Sequence, residues 1–318
     1  MQRVPMLFPG QGSQSVGMAA DLLAAGGTAA GFLRTVNDTV GCDLLRIMTD
    51  GPDGTLTETR NAQPALLAHS VAVTLALGDL GILPGVVAGH SLGEFSAAVA
   101  CGALCPGDAL RTVRRRGELM FAAGREIPGT MAAVMGLSAA RVAEICAGID
   151  GVVVPANHNS DSQVVISGEV AAVAAAGEAL KAAGAKRVAP LNVSGAFHSP
   201  LLAGAAADFR SFLAGIPVAD PAVPLVANVS AAPVTTAQEL REGFARQLTA
   251  PVLWHGTMER ICGGPDRPPV VLEVGPGKVL SGLARRAYPD VTFVPVGTVA
   301  DLEGLPAVLA AAGSHPAG

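Results

Sequence analysis

Aromatic side chains are scarce: nine Phe, one Tyr and one Trp are only 3% of 318 residues. The core must therefore be built mainly from Ala, Val and Leu. Half of the residues are hydrophobic, so that core can still be large. Charge is sparse too, at 15%, with a formal net charge of −5. An acidic balance argues against a nucleic-acid binder, although it leaves room for a local basic patch. No apolar run reaches the ~18–20 uncharged residues of a membrane span, so no membrane association is expected. Pro9 and Gly10 break the apolar start at once, which does not suit a secretory signal. The cysteines Cys42, Cys101, Cys105, Cys146 and Cys262 are odd in number, scattered and without C-x-x-C spacing. That pattern fits reduced thiols in a cytoplasm and offers no metal site.

The length suits one large domain with an insertion, or two domains. Residues 4–8 read as a first strand, followed by the loop Pro9-Gly10-Gln11-Gly12-Ser13-Gln14. A long apolar helix over 63–80 opens on Gln63-Pro64. A strand at 85–88 precedes helices at 94–102 and 107–124. This alternation predicts a layered α/β fold with a mainly parallel sheet. From residue 130 the order changes to strand 131–135, helix 138–148 capped by Ser138, and strands 152–154 and 163–168. Helix 170–184 and strand 186–193 complete a β-α-β-β-α-β series, the split βαβ of ferredoxin-like units. The expected organisation is a large subdomain over 1–126 and 196–318, with a small one inserted over 127–195. The large one resumes with helix 199–215, strand 223–228, helices 237–248 and 251–262, strand 270–274 and a last strand at 291–296. The small, polar tail from Gly313 is expected to fray.

Gly89-His90-Ser91-Leu92-Gly93-Glu94 lies between the apolar run Gly85–Ala88 and the helix-like run Phe95–Ala100. A G-x-S-x-G turn between strand and helix is a nucleophile elbow. It exposes the serine hydroxyl and faces it with helix N-terminal N–H groups. A chance Gly/Ser turn is the competing reading, which the flanking strand and helix disfavour. A serine nucleophile needs a base. Among six histidines, His198 has the best placement: it sits in a polar, Gly-containing stretch between strand and helix, after the serine in the chain. A capping or solvent histidine fits that stretch equally well. His90 reads as support for the elbow and His69 as packing. By charge alone, Arg114-Arg115-Arg116 reads as a solvated helix face.

Five motifs occur in order: Phe8-Pro9-Gly10-Gln11-Gly12-Ser13-Gln14, Gly89–Glu94, Arg115-Arg116-Gly117, Gly195-Ala196-Phe197-His198-Ser199 and Glu273-Val274-Gly275-Pro276-Gly277. Together they resemble the malonyl-CoA:acyl carrier protein transacylase family, over about residues 5–300. That family includes the fatty-acid synthase enzyme and polyketide synthase acyltransferases. The resemblance implies a hydrolase-like α/β large subdomain with a ferredoxin-like small one. It implies that Ser91 forms an acyl-enzyme and that His198 is base, then acid. It further implies that the backbone carbonyl of Gln247 orients His198, with no triad aspartate. The amides of Gln11 and Leu92 would form an oxyanion hole. Arg116, alone of its run, would clamp the free carboxylate of the acyl group, with Arg114 and Arg115 at the surface.

Phe197 before the histidine is expected to narrow the acyl pocket toward malonyl, against branched extenders. Asn159, in the loop 156–164, is expected to contact substrate or pantetheine. His158 and Asp161-Ser162 depart from the commoner Pro-Gly there. Gln63 resembles a cleft-lining residue, though a helix start accounts for it as well. The implied reaction takes malonyl from malonyl-CoA to an acyl carrier protein, for fatty-acid or polyketide synthesis. CoA is then part of a substrate, and no metal or other cofactor is expected. A discrete, trans-acting, monomeric cytoplasmic enzyme follows. Alternatives are an acyl hydrolase, a transferase for another acyl group, or an idle docking scaffold. Because carrier proteins are acidic, a local basic face is expected, with Lys181, Lys186, Arg187, Lys278, Arg285 and Arg286 as its candidates, although ordinary solvated surface is the first reading of any one of them.

Overall fold

The computed structural model describes residues 1–313. The expected frayed tail beyond Gly313, and with it His315, lies outside the described residues. The chain opens with β1 (Gln2–Phe8), whose Met6, Leu7 and Phe8 are completely buried. Five short helices follow: α1 (Ala20–Ala25), α2 (Gly27–Leu33), α3 (Val36–Val40), α4 (Leu44–Thr49) and α5 (Asp53–Thr57). The sequence reading assigns no element here. Helices of one or two turns carry too few residues for an apolar stripe to declare itself, and packing must hold them. Leu22, Leu33, Leu44, Met48 and Leu56 supply that packing from inside the main core.

Helix α6 (Thr59–Asp79) begins four residues before the expected Gln63-Pro64 start, with Pro64 inside it. A proline there cannot donate to the carbonyl of Arg60, one turn back. Arg114 replaces the missing donor: its Nη1 lies 3.0 Å from Arg60 O and 3.1 Å from Asn61 Oδ1. Arg114 is thus a half-buried staple, and only Arg115 is the exposed surface residue expected of both. Next come β2 (Ile82–Gly89), α7 (Gly93–Ala100) and α8 (Pro106–Glu126).

The small sheet comprises β3 (Gly129–Met135), α9 (Ala139–Ala147), β4 (Val153–Ser160), β5 (Gln163–Glu169), α10 (Val170–Ala182) and β6 (Arg187–Pro190). Ser138 caps α9 by accepting from Arg141 N at 3.3 Å. All its pairings are antiparallel, in the order β4-β5-β3-β6, which is the ferredoxin-like arrangement read from the sequence. The chain then passes through a 3₁₀ turn (Pro200–Leu202) into α11 (Ala203–Leu213), β7 (Leu225–Val226), β8 (Pro233–Val234) and α12 (Ala237–Gln247). It ends with α13 (Trp254–Cys262), β9 (Val270–Val274), α14 (Val279–Ala284), β10 (Thr292–Val296) and α15 (Val299–Gly313). The large sheet has the order β10-β9-β1-β2-β7-β8 and is parallel except at the β7–β8 edge.

Several expected bounds shift. Strand 152–154 continues to Ser160, so most of the loop expected over 156–164 is strand. Strand 223–228 shrinks to the two residues of β7, and helix 251–262 starts only at Trp254. The reason at 251–253 is tertiary. Val252 N donates to Ala156 O at 2.8 Å, and His158 N donates to Val252 O at 2.9 Å. This bridge ties β4 of the small sheet to the segment before α13. Helices α14 and α15 have no counterpart in the sequence reading.

Candidate active site

β1 and β2 run parallel, with Phe8 opposite Gly89. Their C-terminal ends therefore deliver Pro9-Gly10-Gln11 and the Ser91 turn to the same sheet edge, ahead of α7. The turn needs glycine on both sides. A Cβ on Gly89 would stand 1.9 Å from Gly93 C, and one on Gly93 would stand 2.1 Å from Phe8 O. Ser91 itself has φ 50°, and His198 has φ 57°. Both lie in the left-handed region, which surrounding structure must enforce for residues with a Cβ.

His198 Nε2 lies 2.8 Å from Ser91 Oγ. His198 Nδ1 faces two carbonyls, Gln247 O at 2.9 Å and Ala250 O at 3.1 Å. Carbonyls only accept, so Nδ1 carries the proton and Nε2 presents its lone pair to the serine hydroxyl. Burial pushes His198 down to about 3, helped by the nearby Arg116 cation and by His90 and opposed by the two carbonyls. The imidazole is neutral at neutral pH, the state a base requires.

Arg116, on α8, is 1% exposed. Its Nη1 donates to Gln63 Oε1 at 2.8 Å, and its Nη2 to Gln247 Oε1 at 2.8 Å and Ser91 Oγ at 3.2 Å. Its Nε is buried with no partner among the described residues. The Phe95 ring lies 5.7 Å from the guanidinium carbon. Burial lowers Arg116 to about 10, while Glu94 pulls the other way, so it remains a cation. Two neutral carboxamides aim this guanidinium, and no carboxylate among the described residues touches it.

Glu94, the last residue of the elbow motif, is 1% exposed. Its Oε1 accepts from Asn228 N at 2.9 Å and its Oε2 accepts from Gln247 Nε2. Burial raises it to about 7, against those hydrogen bonds and Arg116. The Gln247 amide also donates to Ser91 O at 3.0 Å. One glutamine therefore meets all three functional residues: the His198 side chain through its backbone carbonyl, and the Arg116 side chain and the Ser91 backbone through its side-chain amide.

A cavity of about 400 Å³ opens over these groups. Gln11, Leu92, Arg116, Phe197 and His198 line it around Ser91, with Met120, Met131, Leu191 and Val193 as apolar wall. The amides of Gln11 and Leu92 find no acceptor among the described residues, so both are free to meet a ligand oxygen. The Ser91 amide is not free, because it donates to Asn228 Oδ1 at 2.7 Å.

Two expected positions differ. Asn159 does not line the cavity. Its Oδ1 pairs with His90 Nε2 at 2.9 Å, and Asn157 lines the cavity in its place. Asn159 falls at a register shift between His158 and Ser160, and such a bulge re-aims a side chain. Asn157 Oδ1 is buried and unpaired among the described residues. Gln63 is likewise absent from the cavity wall. It is buried behind Arg116, holding the guanidinium with Oε1 and Met120 Sδ with Nε2 at 3.2 Å. Asn228 and the side chains of Glu94 and Gln247 have no place in the sequence reading. Glu94 at least stands in the elbow motif; Asn228 stands in no motif.

An elbow serine paired with a carbonyl-held histidine, on a hydrolase-like sheet with a ferredoxin-like companion, defines a serine acyl-enzyme class. The acyl transferase domain model matches residues 6–303. The malonyl CoA-acyl carrier protein transacylase of Staphylococcus aureus (strain COL) is 40% identical over 308 residues, 96% of this chain and 98% of that protein. The acyl-carrier-protein-S-malonyltransferase structure from Bartonella henselae superposes with a TM-score of 0.91 at 39% identity, covering 98% of this chain and 100% of that one. A malonyl-transacylase solved in complex with its type II PKS acyl-carrier protein gives 0.90 at 40% identity, covering 95% and 98%. The chain belongs to the acyl transferase domain family, the family of the malonyl-CoA:acyl carrier protein transacylases.

Proposed function

We propose that this protein moves a malonyl group from CoA to the phosphopantetheine thiol of an acyl carrier protein, as a monomeric cytoplasmic enzyme. One observation carries the reading: Ser91 Oγ lies within hydrogen-bond reach of both a neutral histidine and a buried arginine cation. An esterase has no use for that cation beside its acyl pocket. A carboxylated acyl group does, because a guanidinium can hold a carboxylate through paired N–H donors.

Ser91 Oγ attacks the thioester carbonyl as His198 Nε2 takes its proton. The carbonyl oxygen, now negative, is held by the Gln11 and Leu92 amides. Losing one such donor typically costs about 10²–10³ in turnover. The C–S bond breaks, the proton passes from His198 to the departing CoA sulfur, and malonyl-Ser91 remains. The pantetheine thiol then repeats the sequence in reverse, with His198 as its base. Phe197 on the cavity wall narrows the space beside the malonyl α-carbon. The exposed Lys181, Lys186, Arg187, Lys278, Arg285 and Arg286 are the candidates for meeting an acidic carrier, Lys181 being already paired with Glu178.

Intact-protein mass after mixing with malonyl-, methylmalonyl- and acetyl-CoA tests the reading. A stable malonyl adduct on Ser91, discharged only when holo carrier protein is added, is the expected result. Discharge to water at a comparable rate would make the protein a hydrolase, and preferential acetyl labelling would remove the carboxylate clamp.

A further inference from the structure

The left-handed backbone of Ser91 has to be held by something, and neither motif glycine does so. The only side chain among the described residues that bonds both limbs of the turn is Asn228. It accepts from Ser91 N–H at 2.7 Å through Oδ1 and donates to Gly89 C=O at 2.6 Å through Nδ2. One carboxamide thus closes the turn between residues 89 and 91 like a missing peptide rung. Asn228 is fully buried and lies 137 residues from Ser91 in the chain. Its own backbone is fixed on both sides: its N–H donates to Glu94 Oε1 at 2.9 Å, and its carbonyl accepts from Leu253 N at 2.9 Å.

We propose that Asn228 is a positioning residue for the nucleophile, setting the Ser91 conformation that aims Oγ at His198. The clamp also assigns the amides: it withdraws the Ser91 N–H from any role in holding the oxyanion and leaves that role to Gln11 and Leu92. Glu94 is its anchor, and through Gln247 Nε2 that same carboxylate is tied to the side chain that orients Arg116. Nucleophile, base and guanidinium are therefore referenced to one buried carboxylate. The inference rests on Ser91 being the nucleophile.

The variants are Asn228→Ala, which removes the clamp, and Asn228→Asp, which keeps its size but turns an acceptor toward Gly89 C=O. They are assayed well below their melting temperatures. The first readout is transfer from malonyl-CoA and acetyl-CoA. The second is sulfonylation by phenylmethanesulfonyl fluoride, in which Ser91 Oγ bonds sulfur, fluoride leaves and His198 takes the proton. Misplacing a nucleophile by about 1 Å can cost on the order of 10²-fold. Both variants are expected to lose that much in kcat for both acyl groups, with KM little changed, and to sulfonylate correspondingly more slowly. A wild-type kcat and sulfonylation rate in either variant, whatever happens to its melting temperature, overturns the proposal. No sulfonylation of the wild type beyond that of Ser91→Ala would instead overturn the nucleophile assignment. Should both variants fail to fold, amide exchange in the unaltered protein decides. A Ser91 amide as protected as those of the neighbouring strand supports the clamp, and a fast-exchanging one refutes it.

Discussion

Arg116 and His198 share Ser91 Oγ, and on the proposed role of Arg116 this couples specificity to basicity. The guanidinium lowers the imidazole pKa, second only to burial. On the proposed role of Arg116, a malonyl carboxylate arriving there would cancel part of that cation, and the substrate would strengthen its own base. Two results are expected of Arg116→Ala. Malonyl transfer falls by roughly 10- to 100-fold relative to acetyl transfer, the worth of a charge-assisted pair. The acid limb of the residual acetyl transfer also moves to higher pH, because without the neighbouring cation His198 protonates more readily. A pH–rate profile of acetyl transfer in both proteins checks the second; equal losses for both acyl groups would remove the clamp role. Ser91, His198 and Arg116 were legible as residue types in motifs. Asn157, Asn228 and the Gln247 side chain were not, because buried amides act through geometry and carry no spacing signature.

The elements nearest the site show what local sequence specifies well. β2, α7 and the turn between them were readable because the glycines on either side of Ser91 have steric reasons visible in a short string. Gly93→Ala forces a Cβ into the Phe8 carbonyl, 2.1 Å away. Overpacking of that kind costs about 1–3 kcal/mol, and here the clash is with backbone that cannot move aside. A lower melting temperature together with loss of Ser91 acylation is expected, measured by thermal denaturation and intact mass. Helix α6 shows the opposite case. Its first turn is masked by Pro64, and it survives because Arg114 on α8 supplies the missing donor. Arg114→Ala should cost about 1 kcal/mol, the typical net worth of such a hydrogen bond. An unchanged chemical-denaturation midpoint would show that water substitutes for it.

Across the whole molecule, the cavity is assembled from the small sheet and from the loops and helices of the large subdomain. Met131 and Asn157 come from the small sheet's strands, and Gln11, Ser91 and Arg116 from the large subdomain. Burying the dyad there links stability to pH. The His198 pKa falls from 6.5 to about 3 on folding, so below about 6.5 the unfolded chain binds a proton that the folded site refuses. Stability attributable to this group is therefore present above 6.5 and lost as pH falls toward 3. Glu94, raised from 4.5 to about 7, acts with the opposite sign: its contribution is lost as pH rises from 4.5 to 7. His198→Gln should flatten the loss of stability between pH 6.5 and 3, read from denaturation midpoints across that range. An unchanged slope would mean that the histidine is not buried neutral.

The sequence by itself determined the fold class, the small sheet's strand and helix order, and the residue types at the elbow. Those rest on short-range physics: hydrophobic period, turn sterics and the chemistry an acyl-enzyme demands. Only the tertiary structure decided that Asn157 rather than Asn159 lines the cavity, that Gln63 stands behind Arg116, and that Asn228 and Glu94 hold the turn. These outcomes depend on a strand bulge, on buried hydrogen-bond partners and on groups more than a hundred residues apart, as with Asn228 and Glu94 at 134. No local pattern encodes them, because each is settled by which acceptor a donor meets once water has been excluded.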